Sequence, residues 1–185
     1  MATRPVFLRW CFVLLTLTWA GSATSADYTI AQESTSGYLS SLTLGQSFTT
    51  LDEGHLEQVD LFLSINNHSD AVLIRIYSGS TSPNDISQAL CEESFSSVPT
   101  GVNTWHSFVM TDPGCRIVLS ATTVYTVEVI PNSSSTNVAI QADWSNPYSG
   151  GVNFTNGAEE SGRDLAFRIE ISNPVPVELQ SFSVE

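Results

Sequence analysis

The chain has 185 residues, of which 6 are basic and 19 acidic, so its formal net charge at pH 7 is −13. Every basic residue is an arginine. This charge repels phosphate backbones and anionic lipid headgroups, so nucleic acid and anionic membrane surfaces are excluded as favoured partners. The length is sufficient for one domain with its own core.

Residues 1–26 are predicted to form a secretory signal peptide. Arg4 and Arg9 supply a positive start, an apolar run follows, and small residues then allow cleavage after Ala23 or Ala26. An N-terminal membrane anchor is the alternative, but the apolar run is shorter than the roughly 20 residues that a spanning helix needs. No later segment has the pattern of a transmembrane helix. The remaining chain is therefore expected to be secreted or attached to the cell surface.

The clearest hydrophobic pattern after the leader lies in residues 56–78. Apolar residues recur at every second position on both sides of a polar tip at residues 66–70. The core-facing positions are expected to be Val59, Leu61, Leu63 and Ile65 before the tip, and Val72, Ile74 and Ile76 after it. A period of two with β-branched residues is typical of strands. We predict two antiparallel strands at the centre of an all-β domain.

Short alternating segments continue along the chain. Strands are expected at residues 28–32, 45–50, 91–98, 104–110, 125–130, 137–144, 152–155 and 164–171, with polar or glycine-containing loops between them. No sustained helical period with a capping start is found. About ten short strands, spaced by turns every 8 to 12 residues, predict a single antiparallel β-sandwich of jelly-roll type over residues 27–173. Residues 174–185 contain two prolines and then a new alternation, which predicts an edge strand or the start of a following module.

Two cysteines remain once the leader, with Cys11, is removed. In an exported protein Cys91 and Cys115 are expected to form a disulfide. If residues 91–98 and 104–110 pair as a hairpin, the two cysteines lie within reach of each other. The alternative is two buried free thiols.

The best candidates for ligand binding lie in the turn DWSNPYSGG. A sandwich can bind sugar through exposed aromatic faces and planar polar groups, and Asp143, Trp144, Asn146 and Tyr148 supply both. Strand alternation favours a core position for Trp144 over a ligand-binding one. The same argument applies more strongly to Trp105. Tyr148 lies in the turn itself, so we expect it to be exposed.

Calcium is the metal that the sequence best accommodates, because its oxygen ligands can come from loops. The main candidates are Glu159, Glu160 and Asp164, and weaker oxygen-rich sets are Asn66, Asn67 and Asp70, and Asn84 and Asp85. None has the spacing of a dedicated calcium loop, so solvated turn residues are the alternative. The three histidines are isolated, which gives zinc little support.

Catalytic motifs are missing from the sequence. The E-x-D-x-x-E run that places the carboxylates of sandwich glycosidases on one strand does not occur, and neither does a G-x-S-x-G nucleophile turn. We therefore predict no enzymatic activity, with an unrecognised glycoside hydrolase as a minority alternative.

The order of several segments resembles bacterial secreted modules described as choice-of-anchor or galactose-binding-like jelly-roll domains. The matching segments are GQSFTT, LEQVDLFLS, VLIRIYSG, WHSFVM, TTVYTVEV, ADWSNPYSGG and DLAFRIEI, and together they span roughly residues 28–171. The tail PVPVELQSFSVE is similar to the leader of modules that precede type IX secretion sorting domains. This resemblance implies surface display, adhesion or carbohydrate contact, and no particular catalytic activity.

The function predicted from the sequence is surface interaction by a secreted or cell-surface module without catalysis. Its expected partners are an extracellular polysaccharide or glycan, or other modules of a surface protein. The structural alternative is a spacer or assembly module. A fold alone does not decide between these functions.

Overall fold

Two antiparallel β-sheets pack against each other in the computed structural model, which describes residues 27–64, 71–101, 103–111, 114–133 and 136–173. One sheet has eight strands: β1 (Tyr28–Gln32), β2 (Gly37–Ser41), β4 (Gly54–Leu63), β7 (Thr104–Val109), β8 (Val118–Leu119), β10 (Val138–Asp143), β13 (Asp164–Leu165) and β14 (Phe167–Ser172). The other has six: β3 (Leu44–Thr49), β5 (Ala71–Ser78), β6 (Cys91–Ser96), β9 (Val124–Pro131), β11 (Asn153–Thr155) and β12 (Ala158–Glu160). A single 3₁₀ turn, Ile86–Gln88, is the described helical element.

Strands that follow each other in the chain often lie in different sheets. The eight-stranded sheet runs β1-β14-β4-β10-β13, with β2 beside β10 and both β7 and β8 beside β4. The six-stranded sheet runs β12-β11-β3-β9-β5-β6. The predicted antiparallel β-sandwich is confirmed. The described residues contain 14 strands rather than about ten, because segments predicted as loops, among them Gly37–Ser41 and Ala158–Glu160, also pair at the sheets.

The prediction of a central antiparallel pair is wrong, although both of its strands are central. β4 belongs to the eight-stranded sheet and β5 to the six-stranded sheet, so they face each other across the core. Alternation identifies the side of a strand that faces the core, but it does not identify the strand's neighbour. The predicted core-facing positions that the structure describes are all buried: Val59, Leu61, Leu63, Val72, Ile74 and Ile76.

Aliphatic and aromatic side chains from both sheets fill the space between them. The largest of those fully buried are Phe48, Phe108, Phe167, Leu44, Leu56, Leu61, Leu63, Ile74, Ile76, Leu119 and Ile140. Tyr77 is also fully buried, but it lies on the outer side of β5 rather than between the sheets. Burial of this much apolar surface is the main force that holds the two sheets together.

The predicted disulfide is present, but the hairpin used to argue for it is not. Cys91 and Cys115 are bonded, with their Cα atoms 5.2 Å apart. β6 and β7 lie in different sheets and do not pair with each other. The disulfide therefore joins an edge strand of the six-stranded sheet to the segment that follows β7. Glu93 reinforces this link, because its carboxylate accepts hydrogen bonds from the backbone nitrogens of Thr111 at 3.1 Å and Cys115 at 3.3 Å.

Several predictions concern residues outside the described ranges: the signal peptide at residues 1–26, the core-facing position of Ile65, the polar tip at residues 66–70 with the oxygen-rich set Asn66, Asn67 and Asp70, and the tail at residues 174–185. Within the described ranges, none of the helical structure has the length and apolar character required to cross a bilayer.

Candidate functional site

The turn that the sequence singles out forms a loop at residues 143–152, between β10 and β11. Asp143 is the last residue of β10, and its Oδ1 accepts hydrogen bonds from the Ser145 backbone nitrogen at 2.8 Å and the Ser145 hydroxyl at 2.6 Å. These bonds lower the pKa of the Asp143 carboxyl. Asn146 has a φ of 51°, a left-handed conformation that asparagine tolerates better than most residues. Asp143 therefore starts the loop and Asn146 reverses its direction.

The far end of the 143–152 loop lies directly on β3. The Ser47 backbone nitrogen donates to the Val152 carbonyl at 2.9 Å, and the Val152 nitrogen donates to the Ser47 hydroxyl at 2.7 Å. A Cβ atom added to Gly151 would lie 1.9 Å from the Ser47 carbonyl oxygen. Only glycine permits this approach, so the Gly-Gly pair at the end of the predicted turn has a steric function.

Tyr148 fixes the middle of the loop from beneath. Its ring packs edge-on against Phe167, with centroids 5.2 Å apart and an interplanar angle of 86°. Its hydroxyl accepts a hydrogen bond from the Thr49 nitrogen at 3.2 Å, and its own backbone nitrogen donates to Asp164 Oδ2 at 2.9 Å. Burial raises the pKa of the Tyr148 hydroxyl. The prediction that Tyr148 is exposed is wrong, because the turn folds back and places its ring on the core.

Trp144 lies at the surface, with 46% of its area exposed, so its predicted core position is wrong. β10 ends one residue earlier, and strand alternation no longer decides the direction of this side chain. The indole lies against Gly37, where an added Cβ would be 2.2 Å from Trp144 Nε1. The Arg163 guanidinium carbon lies over the ring, 4.6 Å from its centroid. Gly37 and Arg163 hold the indole while much of its surface remains open to solvent.

The other aromatic residues near the surface do not join Trp144. Tyr38 is 45% exposed, but it follows Gly37 on β2 and therefore points to the opposite face of that strand. Trp105 is half-buried on the outer face of the eight-stranded sheet, stacked on Phe62 at 5.2 Å and covered by the Arg168 guanidinium at 4.1 Å. The predicted core position of Trp105 is thus also wrong.

Two arginines on strands pair with carboxylates. Arg75 Nε lies 2.6 Å from Glu92 Oε2, and Arg168 Nε lies 2.6 Å from Glu33 Oε1. The first pair joins the neighbouring strands β5 and β6, and the second joins β14 to the residue that follows its neighbour β1. Both arginines therefore have a structural role.

Asp143 and Asp164 are opposite each other in the β10–β13 pair. Burial raises the pKa of Asp164, and hydrogen bonds from Ser145 lower the pKa of Asp143. Two carboxyls with oppositely shifted pKa values are a pattern found in acid–base catalysis. Asp164, however, is fully buried, and its two oxygens bind Gln46 Nε2 at 3.0 Å and the Tyr148 nitrogen at 2.9 Å. A glycosidase needs both carboxyls beside an open cleft, so this pair is better suited to holding loops.

The three main calcium candidates are not brought together. Asp164 is buried under the 143–152 loop, Glu159 is exposed on β12, and Glu160 lies 3.6 Å from Arg163. Across the described ranges, no group of three or more histidine, cysteine, aspartate or glutamate side chains is arranged to hold a metal ion.

Sequence reasoning missed the residues that support Trp144. Arg163, Gly37 and Ser36 surround it, and the Trp144 backbone nitrogen donates to the Ser36 hydroxyl at 2.9 Å. Gly37 and Ser36 lie more than a hundred residues before Trp144 in the chain. Only the pairing of β2 with β10 brings them close, and β2 lies in a segment predicted as a loop. No local signal in the sequence identifies these contacts.

Comparison of the chain with protein-family models and with curated proteins finds no match. The resemblance to choice-of-anchor and galactose-binding-like modules therefore stays a prediction based on the order of short segments.

Proposed function

We propose that the protein is an extracellular binding module without catalytic activity, and that it contacts neutral carbohydrate through Trp144. The observation that carries this proposal is the exposed indole of Trp144. It lies on the 143–152 loop, which is bound to β3, and contacts with Gly37 and Arg163 hold it in place. A large aromatic side chain exposed at a fixed position loses little conformational freedom on binding. The disulfide supports export, because such bonds persist in oxidising compartments.

Carbohydrate is the favoured ligand class for two reasons. The indole offers a flat apolar surface on which a sugar ring can stack, and the exposed Asn146 amide nearby in the loop can bond hydroxyl groups. The net charge of −13 disfavours anionic glycans, because their charge would be repelled over the whole surface. Neutral polysaccharides fit both conditions.

A spacer or assembly module is the second candidate, and the position of Tyr148 favours it. Of the four residues predicted to bind ligand, Asp143 and Tyr148 use their side chains to stabilise the loop. If the loop has only a structural purpose, Trp144 is merely the exposed end of that arrangement and its removal affects no binding event.

A glycan screen with matched tryptophan variants separates the two candidates. The purified protein is screened against neutral and acidic polysaccharides, and affinity for any hit is measured by calorimetry. We expect Trp144→Ala to weaken binding at least tenfold, about 1.4 kcal/mol, while Trp105→Ala, the matched control on another face, retains it. Binding that survives Trp144→Ala would overturn the role of Trp144, and the absence of any glycan ligand would favour the spacer.

A further inference from the structure

Three contacts of different kinds close the sandwich along β6. Cys91, Glu93 and Phe95 occupy alternate positions of this strand, so their side chains point to the same face. Cys91 is bonded to Cys115 in the segment that follows β7. The Phe95 ring packs edge-on against Phe108 of β7, with centroids 5.1 Å apart. This face of β6 is therefore directed at the eight-stranded sheet, and Glu93 lies between the other two contacts.

The Glu93 carboxylate gathers the turn that carries Cys115. Its Oε1 accepts a hydrogen bond from the Thr111 hydroxyl at 2.5 Å. Its Oε2 accepts from the backbone nitrogens of Thr111 at 3.1 Å and Cys115 at 3.3 Å. Hydrogen bonds to a charged acceptor are stronger than those between neutral groups. Three such bonds to one carboxylate therefore fix the Cys115 backbone opposite β6.

Other contacts hold each cysteine in place independently of the bond between the two sulfur atoms. Cys91 is fixed in β6 by its pairing with Ile76 of β5. Cys115 is fully buried, and the Leu56 nitrogen donates to the nearby Ile117 carbonyl at 2.9 Å, which ties the segment to β4. Two reactants that are held in a productive geometry have a high effective concentration, because the entropy of bringing them together is already lost.

We propose that Glu93 is a positioning residue for this disulfide, and that the bridge is a redox-sensitive latch which opens and closes on the folded sandwich. The thiolate of the half-buried Cys91 attacks a disulfide oxidant, for example oxidised glutathione, and displaces one thiol. The Cys115 thiolate then attacks Cys91 Sγ and displaces the second thiol. The cysteine pair loses two electrons and the oxidant gains them, and a dithiol reductant reverses both steps. The proposal does not depend on ligand binding at Trp144.

Opening of this latch is a local event. When the bridge is reduced, Glu93 and Phe95 still contact the eight-stranded sheet, so the two sheets stay closed along β6. The unfolded chain gains the freedom that the bridge had removed. We therefore expect the melting temperature to fall by roughly 10 °C, while the reduced protein remains folded at room temperature.

The test is the equilibrium of the purified protein with mixtures of reduced and oxidised glutathione. Thiol alkylation and mass spectrometry measure the bridged fraction, which gives the effective concentration of the cysteine pair. We expect Glu93→Gln to lower it at least tenfold, because the amide lacks the charge and cannot accept all three bonds. Glu92→Gln is the matched control, since Glu92 is the next residue on β6, points to the opposite face and pairs with Arg75 at 2.6 Å. Its effective concentration should equal that of the wild type.

Thr111→Val distinguishes positioning by Glu93 from a general loss of stability. Removal of the hydroxyl that donates to Glu93 should lower the effective concentration about threefold in the wild type, and by a smaller factor in the Glu93→Gln background, because both changes affect one interaction. Circular dichroism follows the fold throughout. The proposal is overturned if the reduced wild-type protein unfolds at room temperature, if Glu93→Gln closes the bridge as readily as the wild type, or if Glu92→Gln loses as much as Glu93→Gln.

Discussion

Two loops of this molecule are held by the same device and differ in what they present. The 143–152 loop is bound through the Tyr148 nitrogen to the buried carboxylate of Asp164. The 79–90 loop is bound through the Asn84 nitrogen to the buried carboxylate of Glu128. Each loop also packs closely on β3 at a glycine. Gly151 of the first loop lies against Ser47 of β3, and Gly45 of β3 lies against Ser82 of the second loop. One loop presents an indole to solvent, and the other lines a cavity together with the end of β9.

The difference lies in how each buried carboxylate is neutralised. Glu128 has an arginine nearby, with Arg75 3.9 Å away, and it accepts bonds from Tyr77 at 2.7 Å and Ser82 at 2.6 Å. Burial, followed by the hydrogen bond to Glu128, raises the pKa of Tyr77 to about 12, so the phenol keeps its proton. Asp164 has no ion pair within the described ranges, and burial raises its pKa. The comparison teaches that the anchor without a nearby cation, Asp164, should make its loop respond to pH.

Loss of the Glu128 anchor should have the largest effect. Glu128→Gln replaces one acceptor oxygen by a donor that faces groups already donating, and it leaves Arg75 near an uncharged partner. We expect the free energy of unfolding to fall by roughly 3 kcal/mol. Urea denaturation measures it, with Glu159→Gln on exposed β12 as a control of the same chemistry that should change little. Equal stability of the two variants would show that the 79–90 loop has another anchor.

Gly151→Ala tests the corresponding contact of the other loop. Its Cβ would collide with the Ser47 carbonyl, so the loop must lift from β3 and lose the bonds between Ser47 and Val152. The expected loss of stability is roughly 2 kcal/mol. Ser149→Ala, an exposed change in the same loop, is the control. A Gly151→Ala variant as stable as this control would mean that the loop is not closely packed on β3.

Asp164→Asn tests the pH response. Because the folded pKa is raised, the folded protein holds this proton more tightly than the unfolded chain does. Its contribution to stability is therefore present in acid and is lost as pH rises from about 3.9 through the folded pKa. The variant lacks this contribution, so the free energy of unfolding of the wild type minus that of the variant should decrease across that interval. At neutral pH we expect the variant to be less stable by about 1 kcal/mol, because its amide cannot accept both of the hydrogen bonds that the carboxylate accepts. A pH-independent difference contradicts the assignment.

Arg163→Gln should have the smallest effect. Arg163 lies over Trp144 and 3.6 Å from Glu160, but its side chain is 31% exposed and such contacts contribute little. We expect a loss of stability below about 0.5 kcal/mol. The indole NH resonance of Trp144 should nevertheless shift, since the cation above the ring is gone. An unchanged resonance would show that Gly37 alone positions the indole.

The sequence predicted those parts of the fold that depend on local alternation. Val59 and Ile74 could be assigned to the core because neighbouring positions alternate, and this required no knowledge of the opposite sheet. The partners of β4 and β5 could not be assigned, because pairing depends on contacts far apart in the chain. For the same reason Asp164 was predicted as a calcium ligand, whereas the Gln46 and Tyr148 bonds that define its place come from other strands and loops.

The turn itself was recognised correctly from its residues, but the directions of its side chains were not. For Trp144 strand alternation favours a core position over a ligand-binding one, and Tyr148 is expected to be exposed; the structure instead leaves 46% of Trp144 exposed and packs the half-buried Tyr148 ring against Phe167. Alternation ends with β10, so the direction of each side chain after Asp143 depends on how the loop meets Phe167 and Gly37.

Amide hydrogen exchange at Tyr148 and Asn84 tests the shared anchoring of the two loops most directly. Both amides lie outside regular strands, yet each donates to a buried carboxylate. We predict exchange that is strongly protected at both positions, and much faster at Ser149 in the same loop as Tyr148. Exchange at Tyr148 and Asn84 as fast as at Ser149 would contradict the account.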